Sequence, residues 1–120
     1  MAIYLPHRKG LWAEKAARTF LEARGLRLIA HNFSTKMGEI DLIMQDHDET
    51  LVFVEVRSRT RSDYGNALES INETKINKLK RTATLFLQQK GWLFNKNSRF
   101  DVIAIDIDQH MQIEWVKNAF

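Results

Sequence analysis

The 120-residue sequence contains no cysteine and a single proline. Without cysteine, the chain can form neither a disulfide framework nor a cysteine-ligated zinc site, and this fits a reducing cytoplasm, where we expect the protein to act. The proline, Pro6, lies before the first segment with helical periodicity. These absences exclude a disulfide-stabilised scaffold.

Long hydrophobic runs are absent as well. No apolar run approaches the ~18 residues needed to span a bilayer, and the first twenty residues lack a long apolar core and a small-residue cleavage site. We therefore expect neither a membrane partner nor a signal peptide. Hydrophobic residues make up 44% and charged residues 28% of the chain, as in ordinary soluble proteins. The length suits one core, so we predict a single domain over residues 1–120.

The net charge of +3 is unevenly distributed along the chain. Residues 28–56 carry one basic and six acidic side chains, whereas residues 1–27 and 57–81 each carry a net charge of +4. A polyanion could bind to the basic segments only if the acids were neutralised, for example by metal ions. The alternative is that these charges form solvated faces.

Apolar residues recur at helical spacing in two segments. The first ends at Gly25, a favourable C-terminal cap, and includes Trp12 in its apolar stripe. In the second, Ser70 and Glu73 have capping-box spacing and Gly91 follows the end. Strands are predicted over Leu26–Phe33, Gly38–Met44, Leu51–Arg57, Ser98–Ile107 and Met111–Val116. This order, αβββαββ, predicts a mixed five-stranded sheet flanked by helices, an α/β or α+β fold.

The second and third strands each carry one acid among apolar residues, Asp41 and Glu55. If the loop between them is Asp46–Thr50, Gln45 pairs with Leu51 and Asp41 lies opposite Glu55. A loop one residue shorter or longer would place the two acids on opposite faces. Opposed carboxylates repel each other unless water, a shared proton or a cation relieves the repulsion.

Two explanations of this pair are about equally favoured. Arg57 lies two residues after Glu55 on the same face. A simple ion pair with Arg57 therefore explains Glu55 but leaves Asp41 without an equally good partner. A divalent cation such as Mg²⁺ would serve both carboxylates and would keep waters that phosphate oxygens could replace.

An acid followed on the next strand by Glu-x-basic resembles the PD-(D/E)XK nuclease superfamily, whose core has a similar order of elements. The resemblance narrows to the YraN family through AEKAARTFLEARG, GEIDLIM, VFVEVRSR, YGNALES, RFDVIAI and EWVKNAF, together with Lys75. These small bacterial proteins are related to Holliday-junction resolvases. The resemblance extends from Gly10 to Phe120, and it implies a restriction-endonuclease-like core, with residues 1–120 as one endonuclease-like domain.

The resemblance also implies roles for individual residues. Asp41 and Glu55 correspond to the metal-binding acids, and Glu14 to an acid of the first helix that often completes the site. The backbone carbonyl of Val56 corresponds to an extra ligand of Mg²⁺ or Mn²⁺. Arg57 stands where the superfamily has a catalytic lysine. Because arginine does not lose its proton in proteins, it can clamp a phosphate but cannot act as a base.

From the alternation of strand side chains we expect Asp41, Glu55 and Arg57 on one side of the sheet, facing Glu14. An ion pair with Arg18, one helical turn away, is the alternative explanation of Glu14. Five basic residues are predicted phosphate contacts: Arg59, Arg61, Lys75, Lys78 and Arg81. Taken singly, each could equally belong to a solvated face.

Three functions are compatible with these patterns. The first is a nucleic-acid-binding protein of nuclease fold, a Mg²⁺-dependent endonuclease acting on structured or branched DNA. The second is a non-catalytic DNA- or RNA-binding module, in which Arg57 only pairs with Glu55. The third is a protein-interaction domain that uses the C-terminal segment EWVKNAF. DNA is the expected partner and RNA an open alternative, while a homodimer is expected only by analogy with resolvases.

Overall fold

A mixed five-stranded sheet lies between two helices in the part of the chain that the computed structural model describes, residues 7–59, 71–106 and 112–120, with side chains from residue 11 onward. The elements are α1 (His7–Glu22), β1 (Arg27–Thr35), β2 (Gly38–Gln45), β3 (Leu51–Arg59), α2 (Glu73–Lys90), β4 (Ser98–Asp106) and β5 (Ile113–Val116). The spatial order is β1-β2-β3-β4-β5. Strands β3 and β4 are parallel because α2 carries the chain back between them, and the other neighbours are antiparallel. The predicted element order and mixed sheet are confirmed.

Glycine ends both helices as predicted. Gly25 and Gly91 adopt left-handed φ angles of 93° and 74°, which residues with a Cβ atom rarely accept. After Gly25, the N–H of Leu26 donates to the carbonyl of Leu21 at 3.1 Å, so the turn satisfies a helix-terminal carbonyl.

The start of α2 differs from the predicted capping box. The helix begins at Glu73, and the side chain of Asn72 accepts a hydrogen bond from the backbone N–H of Lys75 at 2.8 Å. Ser70 lies outside the described residues. Asparagine is as good an N-cap as serine, so the segment offered two competing caps and periodicity alone could not choose between them.

Each helix covers one face of the sheet. Below α1 the buried cluster contains Ala13, Ala17, Leu21, Leu26, Leu42, Met44, Val52, Val54, Ile103 and Ile105. Below α2 it contains Ile40, Ile43, Leu51, Phe53, Leu79, Ala83, Phe86 and Leu87. Trp12, predicted in the apolar stripe of α1, is instead 42% exposed. It precedes the buried Ala13 by one residue, ~100° around the helix, and so points away from the sheet.

The C-terminal segment packs against the chain's own sheet. Trp115 donates its indole N–H to the fully buried Asp101 at 2.9 Å, and the backbone N–H of Asn118 donates to the same carboxylate at 2.9 Å. The ring of Phe120 stacks on Phe100 at a centroid distance of 5.2 Å. These contacts use the aromatic side chains that a protein-interaction surface in this segment would need.

Candidate functional site

The β2–β3 hairpin has the predicted loop, and its ladder ends beside Asp41. Gln45 pairs with Leu51, and the regular register continues as far as Leu42 opposite Val54. At the next position the side chain of Asp41 accepts a hydrogen bond from the backbone N–H of Val56 at 2.8 Å. A side-chain oxygen of Asp41 thus binds a backbone N–H of β3 in place of a backbone carbonyl, and the carboxyl group is held between the two strands.

The prediction that Asp41, Glu55 and Arg57 share one face toward Glu14 of α1 is wrong for Glu55, which contacts Lys75 of α2. Ile40 and Ile43 both pack below α2, whereas Leu42 packs below α1, so the side-chain alternation of β2 breaks at Asp41. The neighbouring β1 is irregular at the same place, where Asn32 has a left-handed φ of 52°. Because the ladder ends here, Asp41 can approach acids that belong to opposite faces of the sheet.

On the α1 side, Asp41 meets two further carboxylates. Oxygen atoms of Glu14, Glu39 and Asp41 all lie within 4.8 Å of one another. Glu39 also accepts a hydrogen bond from the hydroxyl of Ser34 at 2.8 Å, which anchors it to β1. Arg18, the alternative partner of Glu14, pairs with Glu22 at 3.2 Å.

Glu39 was not among the predicted ligands. It lies two residues before Asp41 in the same strand, and this i, i+2 spacing was the available signal. The signal was ambiguous because acids at the exposed end of a strand usually face water.

On the α2 side, Glu55 lies between two cations. Its carboxylate is 6% exposed, and its Oε2 atom is 3.3 Å from Arg57 Nε and 3.4 Å from Lys75 Nζ. The Arg57 contact lacks hydrogen-bond geometry, because Nε is buried without a hydrogen-bond partner. Glu55 therefore has a cationic group on each side, and Lys75 joins the first turn of α2 to the site.

The crowding of acids changes their protonation. Burial and the neighbouring charge of Glu55 raise the pKa of Asp41 to about 8, and the hydrogen bond from Val56 only partly opposes this. Burial and the charge of Glu39 raise the pKa of Glu14. At neutral pH and without a cation, Asp41 therefore keeps its proton, and this proton relieves the repulsion expected between the opposed acids.

The predicted phosphate contacts that the structure describes lie in different surroundings, some in surface grooves and one in ion pairs. Lys75 and Lys78 line one groove of about 360 Å³, and Arg81 lines a neighbouring groove of about 320 Å³. Arg59 forms ion pairs with Asp106 and Glu114, and its side chain is 18% exposed. Arg61 lies outside the described residues. The roles of these residues toward nucleic acid stay predictions.

The assembled site offers a set of hard oxygen ligands next to fixed positive charge. Carboxylates at this density suit a divalent cation such as Mg²⁺ or Mn²⁺, which would take over the role of the Asp41 proton. The flanking guanidinium and ammonium groups suit an anionic substrate such as a phosphate.

Neither described helix is long and apolar enough to cross a bilayer.

Fold and site together define an α+β protein in which carboxylates converge where a β-hairpin ladder ends. The family model described as "Uncharacterised protein family UPF0102" matches residues 13–105. The chain therefore belongs to the UPF0102 family, which is the YraN family indicated by its motifs.

Relatives of this family match over most of the chain. A UPF0102 protein of Ectopseudomonas mendocina is 50% identical over 111 residues, which cover 92% of this chain and 92% of the relative. One from Pseudomonas putida is 45% identical over 122 residues, covering 100% of this chain and 98% of the relative. One from Vibrio vulnificus is 48% identical over 107 residues, covering 88% and 86%.

Solved structures show more distant likenesses. A repair endonuclease from Pyrococcus abyssi is 19% identical with a TM-score of 0.43, covering 81% of this chain and 38% of the solved chain. Pyrococcus furiosus SfsA in complex with Ca²⁺ is 14% identical with a TM-score of 0.39, covering 97% and 65%. The chain spans less than two thirds of each solved chain. Because both TM-scores are below 0.5, these likenesses carry no weight for the activity of this chain.

Proposed function

We propose that the protein binds nucleic acid and acts as a divalent-metal-dependent endonuclease on structured or branched DNA. The observation that carries the proposal is the convergence on Asp41, which lies within 4.8 Å of Glu14 and Glu39 and directly beside Glu55. A soluble domain gains nothing in stability from gathering four acids, because their mutual repulsion opposes folding. A bound cation would neutralise these carboxylates and remove their mutual repulsion.

The donor set fits Mg²⁺ or Mn²⁺. Asp41, Glu55 and Glu14 would hold the metal together with the carbonyl of Val56, and Glu39 is a further carboxylate within reach. When bound, the cation would supply an activated water and would neutralise charge on the phosphodiester. The raised pKa of Asp41 supports the assignment, because the ionised form of this buried acid lies beside Glu55 and lacks a compensating positive charge.

Arg57 and Lys75 would bind the substrate rather than the metal. An arginine guanidinium carries a permanent charge and several N–H donors, so Arg57 can hold a phosphate oxygen and stabilise the charge that develops during cleavage. Lys75 contacts Glu55 and also lines the groove beside α2, so it places positive charge between the acid site and the groove. Both cations also contact the carboxylate of Glu55, one of the proposed metal ligands.

One observation favours a second candidate, a non-catalytic DNA- or RNA-binding module. The position of the superfamily's lysine is filled by Arg57, which lies 3.3 Å from Glu55 and cannot accept a proton from water. In that case the acids would bind a metal that bridges the protein to phosphate without cleavage. A cytoplasmic location, RNA as a ligand and a homodimer stay predictions.

The test is a cleavage and binding assay with labelled four-way junction, linear duplex, single-stranded DNA and RNA. Each substrate is incubated in Mg²⁺, in Mn²⁺ and in EDTA, with the parent chain and with Asp41→Asn. The proposal expects junction cleavage that requires metal and is lost in the variant. Metal-dependent binding without cleavage would favour the non-catalytic module, and the absence of both would overturn the proposal.

A further inference from the structure

A basic groove opens directly from the carboxylate site on the α2 side. It has a volume of about 360 Å³ and lies between the β1–β2 turn and the first turns of α2. Its lining comprises Thr35, Lys36, Met37, Gly38, Glu39, Lys75, Lys78 and Leu79. Two of these residues, Glu39 and Lys75, also belong to the acid site, so the groove adjoins that site.

The β1–β2 turn is held firmly against α2. At Gly38, an added Cβ atom would lie 3.6 Å from Thr82 Oγ1 and 3.7 Å from Lys78 Cβ, which is ordinary van der Waals contact. The hydroxyl of Thr35 lies 3.5 Å from that of Thr82 and accepts a hydrogen bond from the backbone N–H of Met37 at 3.0 Å. This packing fixes the turn that carries Lys36 beside the helix that carries Lys78, and both residues line the groove.

The groove on the other side of Asp41 is less suited to an anion. It has a volume of about 110 Å³ and is lined by Leu11, Glu14, Lys15, Arg18, His31, Asn32 and Leu42. Its two basic residues are offset by Glu14, and Arg18 already pairs with Glu22. The α2-side groove has three lysines against one glutamate; Lys75 also contacts Glu55, and Glu39 would face a metal rather than a phosphate.

We propose that the α2-side groove receives the phosphodiester strand next to the cleavage point, with Lys36, Lys75 and Lys78 contacting its phosphates. This inference rests on the proposed function and adds the path by which the nucleic acid leaves the acid site. It also assigns a phosphate contact to Lys36, in a turn where neither periodicity nor the family motifs point to binding. The volume is close to the lower end of ~300–1,000 Å³ for ligand pockets, which suits one strand rather than a whole duplex.

The experiment measures DNA binding by fluorescence anisotropy over a range of salt concentrations with the full chain in Mg²⁺. The variants are Lys36→Ala, Lys36→Glu and the matched control Lys90→Ala. Lys90 is an exposed lysine near the far end of α2, 12 residues and so ~18 Å along the helix from Lys78. Lys36 is exposed in a two-residue turn, so thermal unfolding should show that its variants fold like the parent.

We expect Lys36→Ala to weaken binding about threefold or more and to lower the slope of log affinity against log salt by about 0.7–0.9, the value of one phosphate contact. Lys36→Glu should weaken binding further, and Lys90→Ala should match the parent. Inorganic phosphate at matched ionic strength should displace little DNA if a strand spans several contacts. Strong displacement would assign the groove to free phosphate and overturn the strand proposal.

A failure of the groove proposal can be distinguished from a failure of the proposed function. If the parent binds DNA and both Lys36 variants behave like Lys90→Ala, the groove proposal is wrong and the proposed function stands. If the parent binds no nucleic acid at low salt in metal, the proposed function and the groove fall together.

Discussion

The carboxyl group of Asp41 accepts the backbone N–H of Val56 at 2.8 Å, at the position where the β2–β3 ladder stops. This bond fixes the acid between two strands instead of on one face of the sheet. As a result, Asp41 contacts Glu14 and Glu39 on one side and Glu55 on the other. The electrostatic properties of the site follow from this placement.

The first prediction concerns the stability of the metal-free protein as a function of pH. In the unfolded chain Asp41 loses its proton near pH 4, whereas in the folded chain its pKa is about 8. Between these values the folded state binds more protons, so this group makes the folded protein less stable as the pH rises from about 4 to about 8. Asp41→Asn resembles the protonated acid, so its stability relative to the parent should rise by up to about 4 kcal/mol from pH 5 to pH 9.

Urea unfolding in EDTA at both pH values measures this difference. A stability difference between parent and variant that stays constant from pH 5 to pH 9 would show that Asp41 titrates normally. Saturating Mg²⁺ should remove the advantage of the variant, because the metal binds only the ionised acid.

The second prediction separates metal chemistry from plain binding. Without metal, the charge of Glu55 opposes the approach of DNA, and above about pH 8 the charge of Asp41 does so too, because like charges repel. The double variant Asp41→Asn with Glu55→Gln keeps the shape of the site, so in EDTA it should bind DNA more tightly than the parent. In Mg²⁺ it should gain nothing further, and any cleavage should vanish. Anisotropy titrations at fixed low salt test this; equal binding in EDTA without any response to Mg²⁺ would place these acids away from the DNA.

The third prediction concerns Arg57. Arg57→Lys should keep or raise any metal-dependent cleavage, because lysine can help to handle the protons of the water, whereas arginine only holds charge. Arg57→Ala should lower cleavage about 100-fold, the usual cost of losing one charge-stabilising donor. Arg27→Ala serves as a control, since Arg27 bonds to Gln45 at the opposite end of β2. Activity lost in the lysine variant but retained in the alanine variant contradicts this role.

The fourth prediction tests Glu39 as a metal ligand. Glu39→Gln should weaken Mn²⁺ binding by about tenfold or more, since even residues that only support a ligand cost about 10–100-fold when removed. The matched control is Glu49→Gln, a largely exposed acid in the hairpin loop that pairs with Lys96 at 3.7 Å. Calorimetric titration measures both. Unchanged affinity in the Glu39 variant would limit the metal site to the residues indicated by the family motifs.

The fifth prediction concerns the buried Asp101. Its carboxylate accepts hydrogen bonds from Arg99 Nε at 3.1 Å, from the indole of Trp115 and from the backbone of Asn118. Asp101→Ala should lower the free energy of unfolding by about 2–4 kcal/mol, because the indole of Trp115 and the N–H of Asn118 lose their acceptor, while Arg99 keeps its ion pair with Asp46. Glu49→Ala should change it by less than about 0.5 kcal/mol. A loss below 1 kcal/mol in the Asp101 variant would mean that the packing of the C-terminal segment does not depend on the Asp101 carboxylate.

Several local features were predictable from the sequence because they depend on near neighbours. The glycine caps, the element order and the five-residue hairpin loop follow from backbone preferences and periodicity, and the loop length in turn pairs Gln45 with Leu51. The cap of α2 at Asn72 and the exposure of Trp12 were not predictable, because serine and asparagine are equally good N-caps and apolar spacing alone does not decide where the buried stripe of α1 begins.

The sequence by itself determined which acids exist, that Asp41 and Glu55 lie near each other across a hairpin, and that Arg57 stands beside Glu55. Strand alternation determines side-chain faces only while the ladder is regular. Tertiary structure decided the rest: the ladder ends at Leu42, so Asp41 turns into the gap between the strands. The packing of α1 and α2 then brings Glu14 and Lys75 to opposite sides of that gap. These contacts join residues far apart in sequence, and their formation depends on the packing of the whole sheet, which no local pattern encodes.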